Sequence, residues 1–148
     1  MAKLDYIAIL RALTDHHVDF IIVGGVGAVL QGAPIMTFDL DIVHSTDEAN
    51  IERLLTTLES LKPQASHLRS SGRQLLITRY GPLDLLGAIG HGHAYAELIH
   101  QTVALQVADD LAVRVLELAS LIAIKEETAA EKDEAVLPIL RQTLRERE

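Results

Sequence analysis

Three aspartates are the residues of this chain whose types and spacing could do chemistry. Asp39 and Asp41 flank Leu40 in Thr37-Phe38-Asp39-Leu40-Asp41-Ile42-Val43, a run of β-formers read as a strand. Side chains alternate along a strand. Asp39 and Asp41 are therefore expected on one face, with Phe38, Leu40 and Ile42 in the core. Two carboxylates so close repel each other. A divalent cation removes that repulsion, and magnesium usually takes one or two carboxylates plus substrate phosphates. A solvated pair on an exposed sheet face is the alternative. Asp84 is the one charge in Gly81-Pro82-Leu83-Asp84-Leu85-Leu86. It reads either as a turn aspartate after Pro82 or as a third metal ligand, where it could also draw the proton from an attacking hydroxyl.

Upstream, Val23-Gly24-Gly25 stands between a strand-like run and a short helical one. Glycines there let backbone approach a phosphate, and a helix N-terminus offers N–H groups to an anion. A tight turn that simply needs glycine is the alternative. The pairing matters more than either half. A phosphate-holding turn and a metal-holding strand are joined by one short helix, which brings triphosphate and metal to one sheet edge. Lys125 lies on an apolar helical stretch and either reaches that triphosphate or forms the solvated helix end beside Glu126 and Glu127. His91 and His93, in Gly90-His91-Gly92-His93, invite a zinc reading. Without a third ligand at a telling spacing they are assigned instead to a mobile loop.

The elements that must position these groups follow from periodicity. Tyr6, Ile7, Leu10 and Leu13 recur at helical spacing between Leu4 and His16. Val18 to Val23 reads as a buried strand, and Val26 to Gln31 as a turn or two of helix closed by Gly32. A further helix is expected from Thr46-Asp47-Glu48 to about Leu61. Gln74–Thr78 and Leu83–Leu86 read as strands across a Tyr80-Gly81-Pro82 turn. His91 to His100 is read as a glycine loop running into a short helix. Thr102–Val107 and Leu111–Val115 form a hairpin around Ala108-Asp109-Asp110. From about residue 116 the chain reads as two helices, with Pro138 acceptable only near a start or a kink. The expectation is one α+β domain over 1–148: a mixed β-sheet flanked by helices, with a helical C-terminal cap over about 116–148.

Composition narrows the classes. The chain has 148 residues, 49% hydrophobic and only 3% aromatic, so its core must be aliphatic. The net charge of −8 argues against loose nucleic-acid binding, which depends on neutralising phosphates with Lys and Arg. With no cysteine there is no disulfide framework and no thiolate site. The most apolar run, Phe20 to Leu30, is too short to span a bilayer. No targeting segment is read, and a cytoplasmic protein is expected.

The layout resembles the DNA polymerase β-like nucleotidyltransferases: Val-Gly-Gly, a short helix, Phe-Asp-Leu-Asp-Ile-Val, then a later strand aspartate. It is most similar to small bacterial members found as toxin–antitoxin components, including the AbiEii-like proteins. Their string His-Gly-x-Pro-Arg-x-Thr-x-Asp-Leu-Asp-Ile stands here as Gln31-Gly32-Ala33-Pro34-Ile35-Met36-Thr37-Phe38-Asp39-Leu40-Asp41-Ile42. A weaker likeness joins Leu121-Ile122-Ala123-Ile124-Lys125 to Lys132-Asp133. Ile35 and Ala130 stand where many relatives carry arginine.

The resemblance implies transfer of a nucleoside monophosphate from an NTP, ATP among them, to an acceptor hydroxyl. Asp39, Asp41 and Asp84 would be catalytic and would hold Mg2+, two ions with Mn2+ as substitute. Gly24, Gly25, Val26, Thr37 and Lys125 would bind nucleotide. A tRNA end, a partner protein or a small molecule is the implied acceptor, and a homodimer is compatible. The alternative is an antitoxin or binding module that keeps the fold without turnover, which the two missing arginines favour.

Overall fold

Alternating apolar runs build the sheet, and amphipathic helices cover it. The computed structural model describes residues 4–62, 65–68, 74–128 and 131–147, and for 65–68 and 131–133 the backbone alone. The elements in chain order are α1 (Tyr6–Asp15), β1 (Phe20–Val23), α2 (Gly24–Leu30), β2 (Leu40–His44), α3 (Glu48–Leu61), β3 (Ala65–Leu68), β4 (Gln74–Thr78), β5 (Gly81–Leu86), β6 (Ala88–Ile89), β7 (His93–Ala94), α4 (Tyr95–Leu98), β8 (Thr102–Ala108), β9 (Leu111–Leu116), α5 (Leu118–Glu127) and α6 (Glu131–Glu146). A single 3-10 turn, Ile99–Gln101, follows α4.

Seven strands form one mixed sheet in the order β3-β4-β5-β2-β1-β9-β8. The pairs β1–β9 and β2–β5 are parallel, and the rest are antiparallel. One face packs Ile22, Leu40, Ile42, Leu83 and Val115 against Ile9, Leu10 and Leu13 of α1 and Leu54 and Leu61 of α3. The other packs Ile21, Val23, Val43, Leu86 and Leu116 against Ala28 of α2, Leu121 and Ile124 of α5 and Leu137 and Leu140 of α6. This is an α+β fold with a mixed sheet between helices and a helical C-terminal cap. Among the described residues no helix is long and apolar enough to cross a membrane.

Several boundaries differ from expectation for local reasons. The turn before β5 is Arg79-Tyr80, not Tyr80-Gly81-Pro82. The Thr78 hydroxyl accepts from the Tyr80 N–H at 3.0 Å and donates to the Gly81 carbonyl at 2.8 Å, which closes the chain one residue early. Pro82 then sits inside β5, opposite Ile77, while the β2 ladder begins at Leu83. A missing N–H is tolerated at a strand start. Pro138 lies in mid-helix, the eighth residue of α6. It and Glu134, whose carbonyl loses its donor, are both exposed, so water can take that carbonyl. β3, β6 and β7 had no legible pattern, being four or two residues long.

Two buried amides, Asn50 and Gln31, fasten the elements. Asn50 is fully buried; it accepts the Asp19 N–H at 2.7 Å and donates to the Asp19 and Ser45 carbonyls. It ties α3 to the start of β1 and the end of β2. Gln31 donates to the Gly27 and Leu116 carbonyls and accepts the Leu118 N–H at 2.9 Å. It fixes α2 to the joint between β9 and α5, and so positions the cap over the glycine turn. Buried amides satisfied on both ends fix element registry.

Candidate active site

The acids lie where β1 ends and β2 begins. Asp41 pairs with Val23 across the antiparallel β1–β2 ladder, and with Asp84 across the parallel β2–β5 ladder. Paired residues on adjacent strands share a face. Asp41 and Asp84 therefore project together on the face that carries Val43 and Leu86. Asp39 joins them from outside the strand, because β2 starts only at Leu40 and Asp39 occupies the bend before it. One carboxylate oxygen from each of Asp39, Asp41 and Asp84 lies within 4.8 Å of the others. Among the described residues this is the sole group of three acids or histidines close enough to share a metal ion.

Strand alternation does not reach Phe38, which corrects the expectation that it enters the core. Phe38 is 71% exposed. Residues 33–38 carry no regular structure, and the Thr37 hydroxyl donates to the Asp39 carbonyl at 3.1 Å. That bond turns the chain into β2 in place of a ladder bond.

The glycine pair makes the site compact. Gly24 has φ +68°, a left-handed conformation that L side chains rarely adopt. A Cβ on Gly24 would stand 2.2 Å from Asp41 Oδ2, and one on Gly25 would stand 2.7 Å from Thr37 Oγ1. The two glycines thus leave room for the Asp41 carboxylate and the Thr37 hydroxyl against the backbone at the start of α2.

A cavity of about 730 Å³ opens over these residues, lined by Gly24, Gly25, Thr37, Asp39, Asp41 and Lys125 among others. Asp84 is only 1% exposed and is enclosed beneath the acids rather than on the cavity wall. Val26 is also absent from that wall. Its side chain is fully buried in the core, so any part it has in binding falls to its backbone. Lys125 sits half-buried in the last turn of α5, where a cation also meets the negative end of the helix dipole. Ile35, at the place of the relatives' first arginine, is a half-buried part of the cavity wall. Ala130, at the place of the second, lies outside the described residues, as do the side chains of Lys132 and Asp133.

The histidine segment is built differently from the loop expected. His91 is in a turn, but His93 is in β7, with Nδ1 2.6 Å from Glu97 and Nε2 2.9 Å from Glu127. Carboxylates only accept, so a ring with both nitrogens on carboxylates is an imidazolium donating twice. Glu127 and then Glu97 raise the His93 pKa above its ordinary value. The His91 backbone N–H and then the His93 ring lower that of Glu127. The clasp joins the β6–β7 turn to the end of α5, and both flank the cavity. Glu97 stands four residues from His93 and could have been paired from sequence; Glu127, 34 residues away, could not.

The signs fix a pH window. The raised His93 stabilises at low pH and loses its effect as pH rises through its folded pKa. The lowered Glu127 stabilises at higher pH and loses its effect as pH falls through its folded pKa. The melting-temperature gap between parent and His93→Gln should be widest between those two titrations and close on either side. A flat gap across that range would show that the clasp is not an ion pair in solution.

With the geometry in place, the comparison with solved structures is direct. The chain superposes on the lincomycin-bound lincosamide antibiotic adenylyltransferase LnuA over 97% of its length and 99% of that chain. The TM-score is 0.69 at 13% identity. This is the nucleotidyltransferase fold. A Thermotoga maritima protein provisionally named a nucleotidyltransferase shares it, with TM-score 0.63 and 20% identity over 99% of this chain and 96% of that one. So does ANT(2'')-Ia in complex with adenylyl-2''-tobramycin, with TM-score 0.61 and 16% identity over 92% of this chain and 85% of that one. No family model matches the sequence, and no curated protein does. Within the nucleotidyltransferase fold, the acids and the glycine turn stand together at one end of β1 and β2.

Proposed function

We propose that the chain is a metal-dependent nucleotidyltransferase, moving a nucleoside monophosphate from an NTP to an acceptor hydroxyl. The observation that carries this reading is the convergence of Asp39, Asp41 and Asp84 beside the Gly24-Gly25 turn, on a fold shared with an adenylyltransferase. The donor set suits a hard cation: three carboxylates and no softer ligand, packed against a glycine whose Cβ would fill the space. Asp39, Asp41 and Asp84 would hold magnesium, with manganese able to replace it. When bound, the metal supplies charge neutralisation at the transferring phosphoryl group and a more acidic attacking hydroxyl.

The chain's own residues position the rest. Gly24 and Gly25 let a triphosphate lie against backbone, Thr37 offers a hydroxyl there, and Lys125 brings a cation to the cavity wall. Asp39 and Asp41 line the cavity and meet the substrate side. Burial of Asp84 to 1% exposure favours ligation over proton transfer for that residue. LnuA is a lincosamide antibiotic adenylyltransferase and ANT(2'')-Ia an antibiotic-resistance factor. They support a small-molecule acceptor over a tRNA end or a protein. The likeness to toxin–antitoxin components rests on the residue 31–42 string. One domain acting in the cytoplasm is part of the same reading.

The deciding experiment incubates the protein with each labelled NTP, magnesium and, in separate reactions, total tRNA or cell lysate. Magnesium-dependent label on an acceptor, abolished by chelator, is the expected result. Ile35 in place of arginine favours a second reading, a binding module without turnover. Magnesium-dependent nucleotide binding with no transfer to any acceptor would establish that one. Magnesium should also raise the melting temperature by mass action, more so with nucleotide present. An Asp39→Asn, Asp41→Asn double variant that responds like the parent would place the metal elsewhere.

A further inference from the structure

Met36 and Phe38 are 81% and 71% exposed, and both line the cavity that holds the acids. The other large exposed hydrophobics among the described residues, Leu55 and Ile139, reach 56% and 37% and lie away from it. The chain has only two phenylalanines, and Phe20 is in the core. Thr37 turns toward Gly25 and Asp39 turns toward the other acids, which sends Met36 and Phe38 outward. That accounts for their direction but not their type, since a polar side chain would serve as well on a solvated loop. Chance exposure of a single apolar residue is ordinary. Two of the largest within three residues, on the lip of the acidic site, call for an occupant.

The charge of the cavity says what that occupant is. Among the described residues its charged lining is Asp39, Asp41 and Lys125, which the proposed function assigns to cation and triphosphate. The remaining wall is largely apolar, with Ile35, Leu86, Ile89, Leu121 and Ile124. Beyond those three, the described wall offers no charge to a polycation or an RNA backbone. We propose that Phe38 and Met36 are the specificity contacts of this site, receiving the face of an uncharged ring in the substrate. The inference rests on the nucleotidyltransferase reading. An aromatic face stacks on such a ring, and a thioether packs well at its edge. The ring belongs either to the nucleobase or to the acceptor, and the same chemistry serves both.

Calorimetry with magnesium and α,β-methylene ATP, and separately with inorganic triphosphate, distinguishes the sources when run beside the labelled transfer assay. If the ring is the base, Phe38→Ala should weaken the analogue by roughly tenfold and leave triphosphate binding unchanged. If it is the acceptor's, both affinities should hold while transfer at limiting acceptor falls about tenfold. In either case Phe38→Tyr should restore the parent value, and Met36→Ala should give a smaller loss in the same assay. Both positions are exposed, so the variants should melt like the parent. Unchanged affinity and unchanged transfer in Phe38→Ala would overturn the inference while leaving the acids' role intact. So would a parent that sediments as a dimer and a Phe38→Ala variant that sediments as a monomer with parental kinetics, since the face would then be a self-association surface. A parent that binds no nucleotide would overturn the proposed function and this inference together.

Discussion

Asp41→Asn is expected to cut nucleotide transfer by roughly three orders of magnitude while the metal-free melting temperature stays level or rises. The change preserves size and shape and removes one negative charge. It acts at the centre of the site, because Asp41 alone pairs both with Val23 at the end of β1 and with Asp84 on β5. With carboxylate oxygens from three residues inside 4.8 Å, removing one charge relieves repulsion in the metal-free protein. The same change removes a ligand charge when magnesium is bound. Loss of function with stability kept is the pattern of a site strained for chemistry. A structural carboxylate behaves in the opposite way, since weakening one side of a satisfied buried pair destabilises. Melts without metal, run beside the transfer assay, separate the two. A clearly destabilised Asp41→Asn would count against the catalytic assignment.

The acids were legible because Asp39 and Asp41 form an isolated pair, and Asp84 a lone charge, in apolar stretches, and periodicity exposes such a conflict at once. What linear order could not show is why they meet. Asp84 reaches Asp41 only because β5 lies next to β2 in parallel, in a register that pairs residues 43 apart in the chain. That register depends on the whole sheet order. Phe38 was misplaced for a related reason: alternation applies only inside a strand, and β2 begins two residues after it. Val26 stood with the glycines in the nucleotide-binding set that the resemblance implies; a helix turns a hundred degrees per residue, and its side chain enters the core, which leaves any such part to its backbone. Gln31 and Asn50 fix the frame through contacts with residues up to 87 positions away, for which no local pattern exists.

Gly24→Ala should fail in a different way, losing stability and transfer together. The backbone cost comes first: φ +68° at a non-glycine residue costs about 1–2 kcal/mol. Contact comes second. The added Cβ would lie 2.2 Å from Asp41 Oδ2, 2.9 Å from its Cγ and 3.0 Å from its Cβ. Rotation of the carboxylate could relieve the first distance but not the last, because Asp41 Cβ is fixed to a strand paired on both sides. Either β2 shifts or the start of α2 does, and both carry the site. Gly25→Ala is the matched control. Its Cβ would meet Thr37 Oγ1 at 2.7 Å and Thr37 Cβ at 3.0 Å. The hydroxyl can rotate away at the expense of one hydrogen bond to the Asp39 carbonyl, and the Cβ can give way because Thr37 lies in the irregular 33–38 segment rather than in a paired strand. Loss of that bond, about 1 kcal/mol, is offset by the helix propensity gained over glycine, about 1 kcal/mol. Gly25→Ala should therefore melt near the parent, and Gly24→Ala several degrees lower. In a cycle with Asp41→Ala, which removes the Oδ2 and Cγ contacts and keeps only the Cβ one, the double variant should be more stable than the sum of the singles. Additive melting shifts, or a Gly24→Ala variant with parental transfer, would show that the glycine does not set the position of Asp41.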